Sequence, residues 1–341
     1  SEAGTTDGRG LSMFVYEKDH TVVVRRIENK LGIHTSPTCE LQFNNTKAQL
    51  VGKRRMGLVR YVMSLMNGAR LGIACQALGI AQAAYNESVK YAQERIQFNQ
   101  RIIDMPPVYD MLTKMKMKIE AARVLVYETS VVIDKKKMLD EKLKHDAETS
   151  RDLKKQAKYI STLASILTPF SKYYASEIAN QVASDAIQIH GGTGYMKEFN
   201  VERHFRDARI TNIYEGTSQL QVVAAIGGMM TRALEPEFQR LIGLIENSEE
   251  REFLPKLKHI HQHLNDAIDY LKEKNDRDYT SYYSRNIVEM GIDLYIALQL
   301  MYYARYDERK KIVAKQFLES AILNSNYHHE AVTSGNRLVV D

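Results

Sequence analysis

The sequence predicts a mainly helical fold, in which a bundle of long helices follows a short β segment and precedes further helices. Two patterns support this prediction. Stretches rich in β-branched and aromatic residues are confined to about the first 52 positions, and apolar residues then recur at helical spacing over most of the chain. We therefore divide the chain into a β segment (1–52), a helical bundle (53–235) and a helical extension (236–341).

Composition indicates an ordinary globular protein. Of the 341 residues, 44% are hydrophobic and 26% are charged, which argues against a disordered or fibrous chain. Lys and Arg number 47 against 42 Asp and Glu, but they are spread along the chain, so we expect no nucleic-acid partner. Cys39 and Cys75 lack metal-ligand spacing and are expected to be packed thiols of a reducing compartment. The opening segment carries no apolar signal run, so we expect a cytoplasmic protein, or a mitochondrial matrix protein if a transit segment was removed.

Three strand-like stretches occupy the β segment. They read "LSMFVYEK", "HTVVVRRI" and "TCELQF", and turn-forming residues separate them. Three strands do not close a stable β domain by themselves. We expect either a small sheet packed on helices or part of a larger sheet.

The first long helix of the bundle is predicted over residues 57–97. Ala, Gly and Leu lie on most of its faces, which is typical of a buried bundle helix with close neighbours. Polar residues, including Arg60 and Arg70, interrupt every window long enough to cross a membrane. We therefore expect no integral membrane segment.

Two further long helices complete the predicted bundle. The second is expected to start at Asp104, which suits an N-cap before the two prolines of the first turn. The charge-dense stretch 135–158 is expected to be a solvated connection and a helix start. The third helix should reach about His190, with a kink or break at Pro169.

A glycine-rich turn and a short helix follow the bundle. The stretch "IHGGTGY" is predicted to end a helix and form a tight turn, and "VERHFRDAR" is predicted to be a short helix. Ser218 and Gln221 have capping-box spacing at the next helix start. Glu215 lies just before that start, where it is explained either as a capping or surface residue favoured by the helix dipole or as a functional group.

The stretch "QIHGGTGYMKEFNVERHFRDARITNIYEGTSQLQ" resembles the signature region of the acyl-CoA dehydrogenase family. Upstream, "KLGIHTSPTCELQF" resembles the closing strands of the family's β domain, and "MNGARLGIACQALGIAQAAYNESVKYAQERIQF" its first C-terminal helix. The resemblance covers about residues 9–232 and fits best the large subgroup with a C-terminal helical extension. It implies a four-helix-bundle domain, and it leaves the family's N-terminal helical domain and part of its β domain unrepresented. We therefore expect a complete flavin site to need further polypeptide.

This resemblance implies an FAD enzyme that dehydrogenates an acyl-CoA thioester to the trans-2-enoyl product. An α-proton of a thioester is weakly acidic, so the site needs a positioned base and stabilisation of enolate charge. Glu215 matches the base position, while the position that supplies the base in some relatives is Ala69 here. Arg70 resembles the arginine that positions the glutamate. The implied electron acceptor is an electron-transferring flavoprotein.

The same resemblance implies the cofactor contacts and a homodimer or homotetramer. The FAD contacts are Arg95, Gln97 and Phe98 toward the pyrophosphate and adenine, Gln188, Gly191 and Gly192 from a neighbouring subunit to the adenosine half, and Thr217 and Gln219 after the glutamate. Gly216 would let the turn approach the substrate, and Tyr214 would line the acyl pocket or serve as a core aromatic residue. Asn99 stands where the family has Gly, which leaves the close backbone approach there in question.

Two other functions stay open at this point. An acyl-CoA oxidase shares the fold and the base and differs in admitting O2 to the reduced flavin. A non-catalytic subunit that depends on a partner chain is the second, although the presence of Glu215, Arg70 and Arg95 together favours catalysis. In the extension we expect three amphipathic helices. His259 and His263 share one helix face, but no carboxylate or cysteine nearby completes a zinc site, so we expect surface histidines and no metal.

Overall fold

The computed structural model describes residues 5–145 and 151–337, and helices dominate both ranges. The predicted mainly helical fold is confirmed. The α-helices of the described part are α1 Met63–Glu94, α2 Pro106–His145, α3 Arg151–His190, α4 Asn200–Arg209, α5 Ser218–Met230, α6 Glu235–Glu246, α7 Leu254–Lys274, α8 Arg277–Ala304 and α9 Glu308–Thr333.

Short strands precede the helices and form two separate antiparallel pairs. The strands are β1 Met13–Val15, β2 Val22–Ile27, β3 Cys39–Phe43 and β4 Gln49–Val51, with β1 paired to β4 and β2 to β3. Each of the three predicted stretches contains a strand. Strand β4 was not predicted, because three residues give too little alternation to recognise. Large apolar side chains on these strands are exposed, including Phe14 at 59% and Ile27 at 66%, so the pairs bury little apolar surface by themselves.

Helix α1 packs mainly along α3 through a face of small residues. Ala74, Ala77, Ala81 and Ala84 are fully buried on this face, and their small side chains let the two helix axes approach closely. A short π-helix, Gly57–Val62, precedes α1. After α1 the chain forms a tight hairpin from β5 Ile96–Gln97 and β6 Gln100–Arg101.

Helices α2 and α3 are longer than the sequence predicted. The charged stretch 135–158 was predicted to be a solvated connection and a helix start. The connection was wrong for residues 135–145, which continue α2 to His145, whereas the helix start is confirmed by α3, which begins at Arg151. Leu139 and Ala157 are buried within it, so the stretch is amphipathic and its charges cover only the outer face. The residues between the two helices, 146–150, lie outside the described ranges.

Two predicted helix features differ in detail. Asp104 does not begin α2, since it ends a 3-10 turn and accepts a hydrogen bond from Arg101 Nε at 3.0 Å, while α2 starts at Pro106. Pro169 lies inside α3 without breaking it. The helix tolerates this proline because both of its ends are held by extensive packing against α1, α2 and α5.

In the described part of the chain, four helices follow residue 233, where three were predicted. The additional helix is α6, and Phe238, Leu241, Ile242 and Ile245 form its buried stripe at helical spacing. The pattern was therefore present in the sequence, but a twelve-residue helix offers only one repeat of it.

Two apolar cores organise the described residues. One joins α1 to α2, α3 and α4, and the other joins α2, α3 and α5 to α6–α9. The second core is continuous across residue 235, and Gly291 of α8 fits so closely that an added Cβ would lie 2.4 Å from Met229 Cε. Helix α8 is long and apolar enough to span a membrane, but 83% of its apolar window is buried inside the protein, which is typical of a core helix.

Candidate active site

The predicted catalytic residue lies in a turn with an unusual backbone. After α4 and a 3-10 turn over Ile210–Asn212, the chain reaches Glu215 at φ 55° and Gly216 at φ 95°. Glycine adopts such angles freely, whereas a glutamate at positive φ is strained and persists only where its surroundings hold it. We call residues 213–217 the catalytic turn. Its strain is a reason, independent of the sequence motif, to regard Glu215 as functional.

The helix after the turn is capped one residue earlier than predicted. Thr217 is the N-cap of α5, and its side chain accepts a hydrogen bond from Leu220 N at 3.4 Å. The predicted capping pair has other partners. Ser218 donates its hydroxyl to the carboxylate of Glu177, and Gln221 Nε2 donates to the carbonyl of Gly216 at 2.9 Å. Both side chains therefore tie the turn to the protein interior.

Helix α3 holds the catalytic turn from behind. Lys172 is completely buried, and its Nζ donates to the carbonyl oxygen of Gly216 at 2.7 Å. One and a half turns later, Glu177 accepts a hydrogen bond from Asn212 Nδ2 at 3.2 Å and another from Ser218. Sequence analysis did not identify Lys172, Glu177 or Gln221 as site residues. The only local signal was a lysine inside the apolar run "ILTPFSKYYA", and a lysine is rarely buried without a reason.

Arg70 of α1 lies on the other side of the turn. It is buried, and its Nη2 would lie 3.8 Å from a Cβ added to Gly216. Burial lowers the pKa of Arg70, and the negative charge of Glu215 opposes that shift. Burial likewise lowers the pKa of Lys172 to about 8, against the opposing charges of Glu177 and Glu215. The structure thus brings the predicted pair, Glu215 and Arg70, together and adds a second buried cation.

Tyr214 is tied to α1 as well. Its hydroxyl donates a hydrogen bond to the side-chain carbonyl of Gln76, and burial raises the pKa of the phenol. Thr217 and Gln219, the two predicted contacts after the glutamate, are exposed at the start of α5. The turn therefore presents polar side chains on the side away from Lys172.

A second group of predicted residues lines a cavity of about 700 Å³ at the opposite end of α1. Arg95 and Gln97 enter it from the end of α1 and the hairpin, and Gln188, Gly191 and Gly192 from the end of α3. An added Cβ at Gly191 or Gly192 would meet no atom within 4 Å. The two glycines therefore leave open space beside the backbone, which a close approach of a ligand would require.

His190 is a further residue of this cavity that sequence analysis did not single out. Its ring stacks on Tyr91 with centroids 4.2 Å apart, and its Nδ1 lies 2.8 Å from the carbonyl oxygen of Ala186. Burial lowers the pKa of His190, so the ring is neutral at physiological pH. The cavity consequently offers one guanidinium, amide groups and flat apolar ring surfaces, a combination that suits a nucleotide.

The hairpin beside this cavity explains how Asn99 can stand where the family has glycine. Phe98 and Asn99 form the two-residue turn between β5 and β6, and both have positive φ, 50° and 62°. Asn is the non-glycine residue that tolerates this conformation best, so the backbone turn that the family's glycine would allow is available here. Phe98 itself is 82% exposed and projects from the hairpin tip rather than lining the cavity.

The two sites lie far apart along one helix. Arg70 and Arg95 are separated by 25 residues of essentially continuous helix, or about 37 Å at 1.5 Å per residue. The catalytic turn and the glycine-lined cavity of one chain are therefore at opposite ends of α1.

The histidines of the extension contact one another. The ring of His263 lies 4.0 Å from that of His259 and 4.4 Å from that of His329, measured between centroids. His259 is exposed and His263 is half-buried. Among the described residues, no group of three or more His, Cys, Asp or Glu side chains has metal-binding geometry.

Comparison with known proteins identifies the bundle. Residues 59–226 match the family model for the acyl-CoA dehydrogenase C-terminal domain. The chain is 36% identical over 229 residues to the caffeyl-CoA reductase–Etf complex subunit CarC of Acetobacterium woodii. This alignment covers 66% of this chain and 53% of that protein. It is 37% identical over 206 residues to a short-chain specific acyl-CoA dehydrogenase of Megasphaera elsdenii. This second alignment covers 60% of this chain and 47% of that protein. The chain thus spans about half the length of these curated relatives.

A solved structure matches nearly the whole chain. The acyl-CoA dehydrogenase from Bacillus anthracis, crystallised in complex with FAD, superposes with a TM-score of 0.76 over 94% of this chain and 58% of that one, at 22% identity. This coverage includes most of α6–α9, so the helical extension has a counterpart of the same fold. Residues 59–226 are therefore identified as an acyl-CoA dehydrogenase C-terminal domain.

Proposed function

We propose that this protein takes part in FAD-dependent α,β-dehydrogenation of an acyl-CoA thioester, with Glu215 as the base that removes the α-proton. The observation that carries the proposal is the strained position of Glu215 at φ 55°, directly beside the buried Arg70. Strain that the surroundings maintain at a single carboxylate is typical of a functional group held for its chemistry.

Each side chain of the turn has a distinct task in this reaction. Glu215 would accept the α-proton of the substrate. The guanidinium of Arg70, on which the charge of Glu215 acts, would orient the carboxylate. Gly216 lets the backbone approach the thioester, and we assign Tyr214 to the wall of the acyl pocket. Bound FAD supplies the acceptor for the β-hydride.

The residues of the second cavity suit FAD. Its volume and the open space at Gly191 and Gly192 would admit an adenosine group. Arg95 would bind the pyrophosphate, and Gln97 and Gln188 would offer amide hydrogen bonds. Thr217 and Gln219, at the other end of the bundle, are assigned to the flavin side. Phe98, on the exposed hairpin tip, is assigned to the adenine side.

The separation of the sites supports a two-chain arrangement. A span of about 37 Å between Arg70 and Arg95 exceeds the length of one FAD molecule. We therefore assign the cavity to the FAD of a partner subunit, which makes the functional unit a homodimer or a pair of homodimers. Residues 53–235 would form the catalytic unit, with the β segment 1–52 and the extension 236–341 on either side of it.

An electron-transferring flavoprotein is the proposed electron acceptor. The name of the similar protein CarC places it in a complex with such a flavoprotein. An acyl-CoA oxidase would differ by rapid reoxidation of its flavin in air. The proposed location is the cytoplasm, or the mitochondrial matrix in a eukaryotic source.

The decisive experiment follows the visible flavin band of the FAD-loaded protein under anaerobic addition of a mixed set of acyl-CoA thioesters. We expect the band to bleach with the wild type and to persist with Glu215→Gln, which should still bind FAD and ligand. Glu273→Gln, an exposed residue of α7, is the matched control and should behave as the wild type. Full bleaching of Glu215→Gln would overturn the proposed function.

A further inference from the structure

A buried lysine behind the catalytic turn has no role in the chemistry described above. Lys172 is completely buried in α3, yet its Nζ reaches the carbonyl oxygen of Gly216 at 2.7 Å. A lysine ammonium is costly to bury, and the carbonyl it serves already accepts a second hydrogen bond from Gln221 at 2.9 Å. Satisfying that carbonyl therefore does not by itself require a charge.

The ammonium of Lys172 lies close to the charged groups of the site. The charged groups that act on it are Glu177 from its own helix, Arg70 from α1 and Glu215 from the turn. Lys172 thus lies behind the strained peptide, within electrostatic range of the carboxylate and of the arginine that flank it. The carbonyl of Gly216 belongs to the peptide between Gly216 and Thr217. Fixing this peptide holds the far side of the two positive-φ residues, Glu215 and Gly216, and so restricts rotation of the turn that carries the Glu215 side chain.

We propose that Lys172 is a positioning residue, whose ammonium holds the Glu215–Gly216 turn in its strained conformation and so orients the base. This inference rests on the proposed function of Glu215. Because Lys172 is completely buried and donates to the carbonyl of Gly216, it acts through the turn.

The proposal separates stability from function. An ammonium is costly to bury, and the hydrogen-bond acceptor of Lys172 is a neutral carbonyl, so removing the ammonium leaves no opposite charge in direct hydrogen-bond contact without its partner. Lys172→Met keeps the Gln221 hydrogen bond to Gly216 and should therefore melt no lower than the wild type. Its turn should nevertheless relax, because the strained peptide has lost its charged partner.

The first test needs no cofactor. Hydrogen–deuterium exchange of the amides in residues 213–221 should be about tenfold faster in Lys172→Met, which is the effect of losing one hydrogen bond. Lys172→Arg, which keeps the charge, should restore protection. Lys158→Met, an exposed lysine on the same helix, should match the wild type. Unchanged exchange in a folded Lys172→Met protein would overturn the proposal.

The second test uses the pH dependence of the wild type, so it does not rely on a variant that folds. Because burial lowers the pKa of Lys172 to about 8, the ammonium loses its charge as pH rises through that value. Exchange at the turn, corrected for the intrinsic effect of pH, should increase above about pH 8 in the wild type and stay constant in Lys172→Arg. A wild-type profile without this step would contradict the role of the charge.

The third test reads the base itself. In the FAD-loaded enzyme, Lys172→Met should slow flavin reduction by acyl-CoA on the order of 100-fold with little change in ligand affinity, since small misplacements of a reacting group cost that much. A rate equal to the wild type would refute the positioning role alone. Activity of Glu215→Gln would instead refute the proposed function, so the two failures are distinguishable.

Discussion

The carboxylate of Glu177 accepts a hydrogen bond from the side-chain amide of Asn212 at 3.2 Å, and this contact joins α3 to the segment that leads into the catalytic turn. The same carboxylate accepts the hydroxyl of the buried Ser218 at the start of α5. One half-buried side chain therefore fixes both ends of the turn, while Lys172 fixes its middle.

Removing this connection should destabilise the protein. We expect Glu177→Ala to lower the free energy of unfolding by about 2 kcal/mol, because two hydrogen bonds to a charged acceptor are lost and the Ser218 hydroxyl is left buried without that partner. Urea denaturation measures the change. Glu330→Ala, an exposed position on α9, should unfold within about 0.5 kcal/mol of the wild type. Equal unfolding of the two variants would refute the anchoring role.

The glycine of the turn should tolerate no side chain. In Gly216→Ala the new Cβ would lie 2.8 Å from Gln221 Nε2 at a φ of 95°, so we expect a loss of about 1–3 kcal/mol in stability together with slower flavin reduction. Gly227→Ala, in the helix α5 that follows the turn, meets no atom within 4 Å and should instead stabilise by up to about 1 kcal/mol. Thermal unfolding measures both variants, and we expect stability to fall in Gly216→Ala and to rise in Gly227→Ala.

The glycines of the second cavity should affect cofactor binding and not stability. Gly192→Ala adds a Cβ in open space, so the fold should be unaffected while FAD binds about tenfold more weakly, since the ligand loses its close approach to the backbone. Gly79→Ala, also in open space but on the exposed side of α1, is the control for stability and affinity. Titration calorimetry with FAD would disprove the assignment of the cavity if both variants bound like the wild type.

A buried carboxylate between the bundle and the extension should give the protein a specific pH dependence. Burial raises the pKa of Asp293 from 3.8 to about 7, although Asn324 Nδ2 donates to it at 3.0 Å. The folded state therefore binds a proton that the unfolded state releases between about pH 4 and 7. The contribution of this proton to the free energy of unfolding is complete below pH 3.8. It is lost as pH rises through 7, which lowers the free energy of unfolding by roughly 4 kcal/mol.

Replacing Asp293 by Asn isolates this effect. The amide cannot ionise, so Asp293→Asn should lack the decline between pH 4 and 7, and the difference from the wild type should be largest at neutral pH. Asp278→Asn, an exposed position at the start of α8, provides the comparison. Parallel pH–stability curves for wild type and Asp293→Asn would show that Asp293 does not titrate in this range.

The sequence predicted features that depend on local patterns. Helical spacing indicated the bundle, and the motif around Glu215 indicated the turn from neighbouring residues alone. Lys172 was not predicted, because it lies 44 residues before Gly216, and only the packing of α3 under α5 brings them together. Asn99 differs from the glycine of the family pattern, yet it adopts the left-handed backbone conformation that a glycine would allow.

The long, uninterrupted helix α1 would make catalysis a property shared between chains in the proposed two-chain arrangement. In the proposed homodimer, each reaction centre takes its base from one polypeptide and its adenosine contacts from the other. An Arg95→Ala chain and a Glu215→Gln chain, each inactive as a homodimer, would thus regain one intact centre when assembled as a mixed pair. Inheritance of two different defective copies would then be less harmful than inheritance of one defect twice.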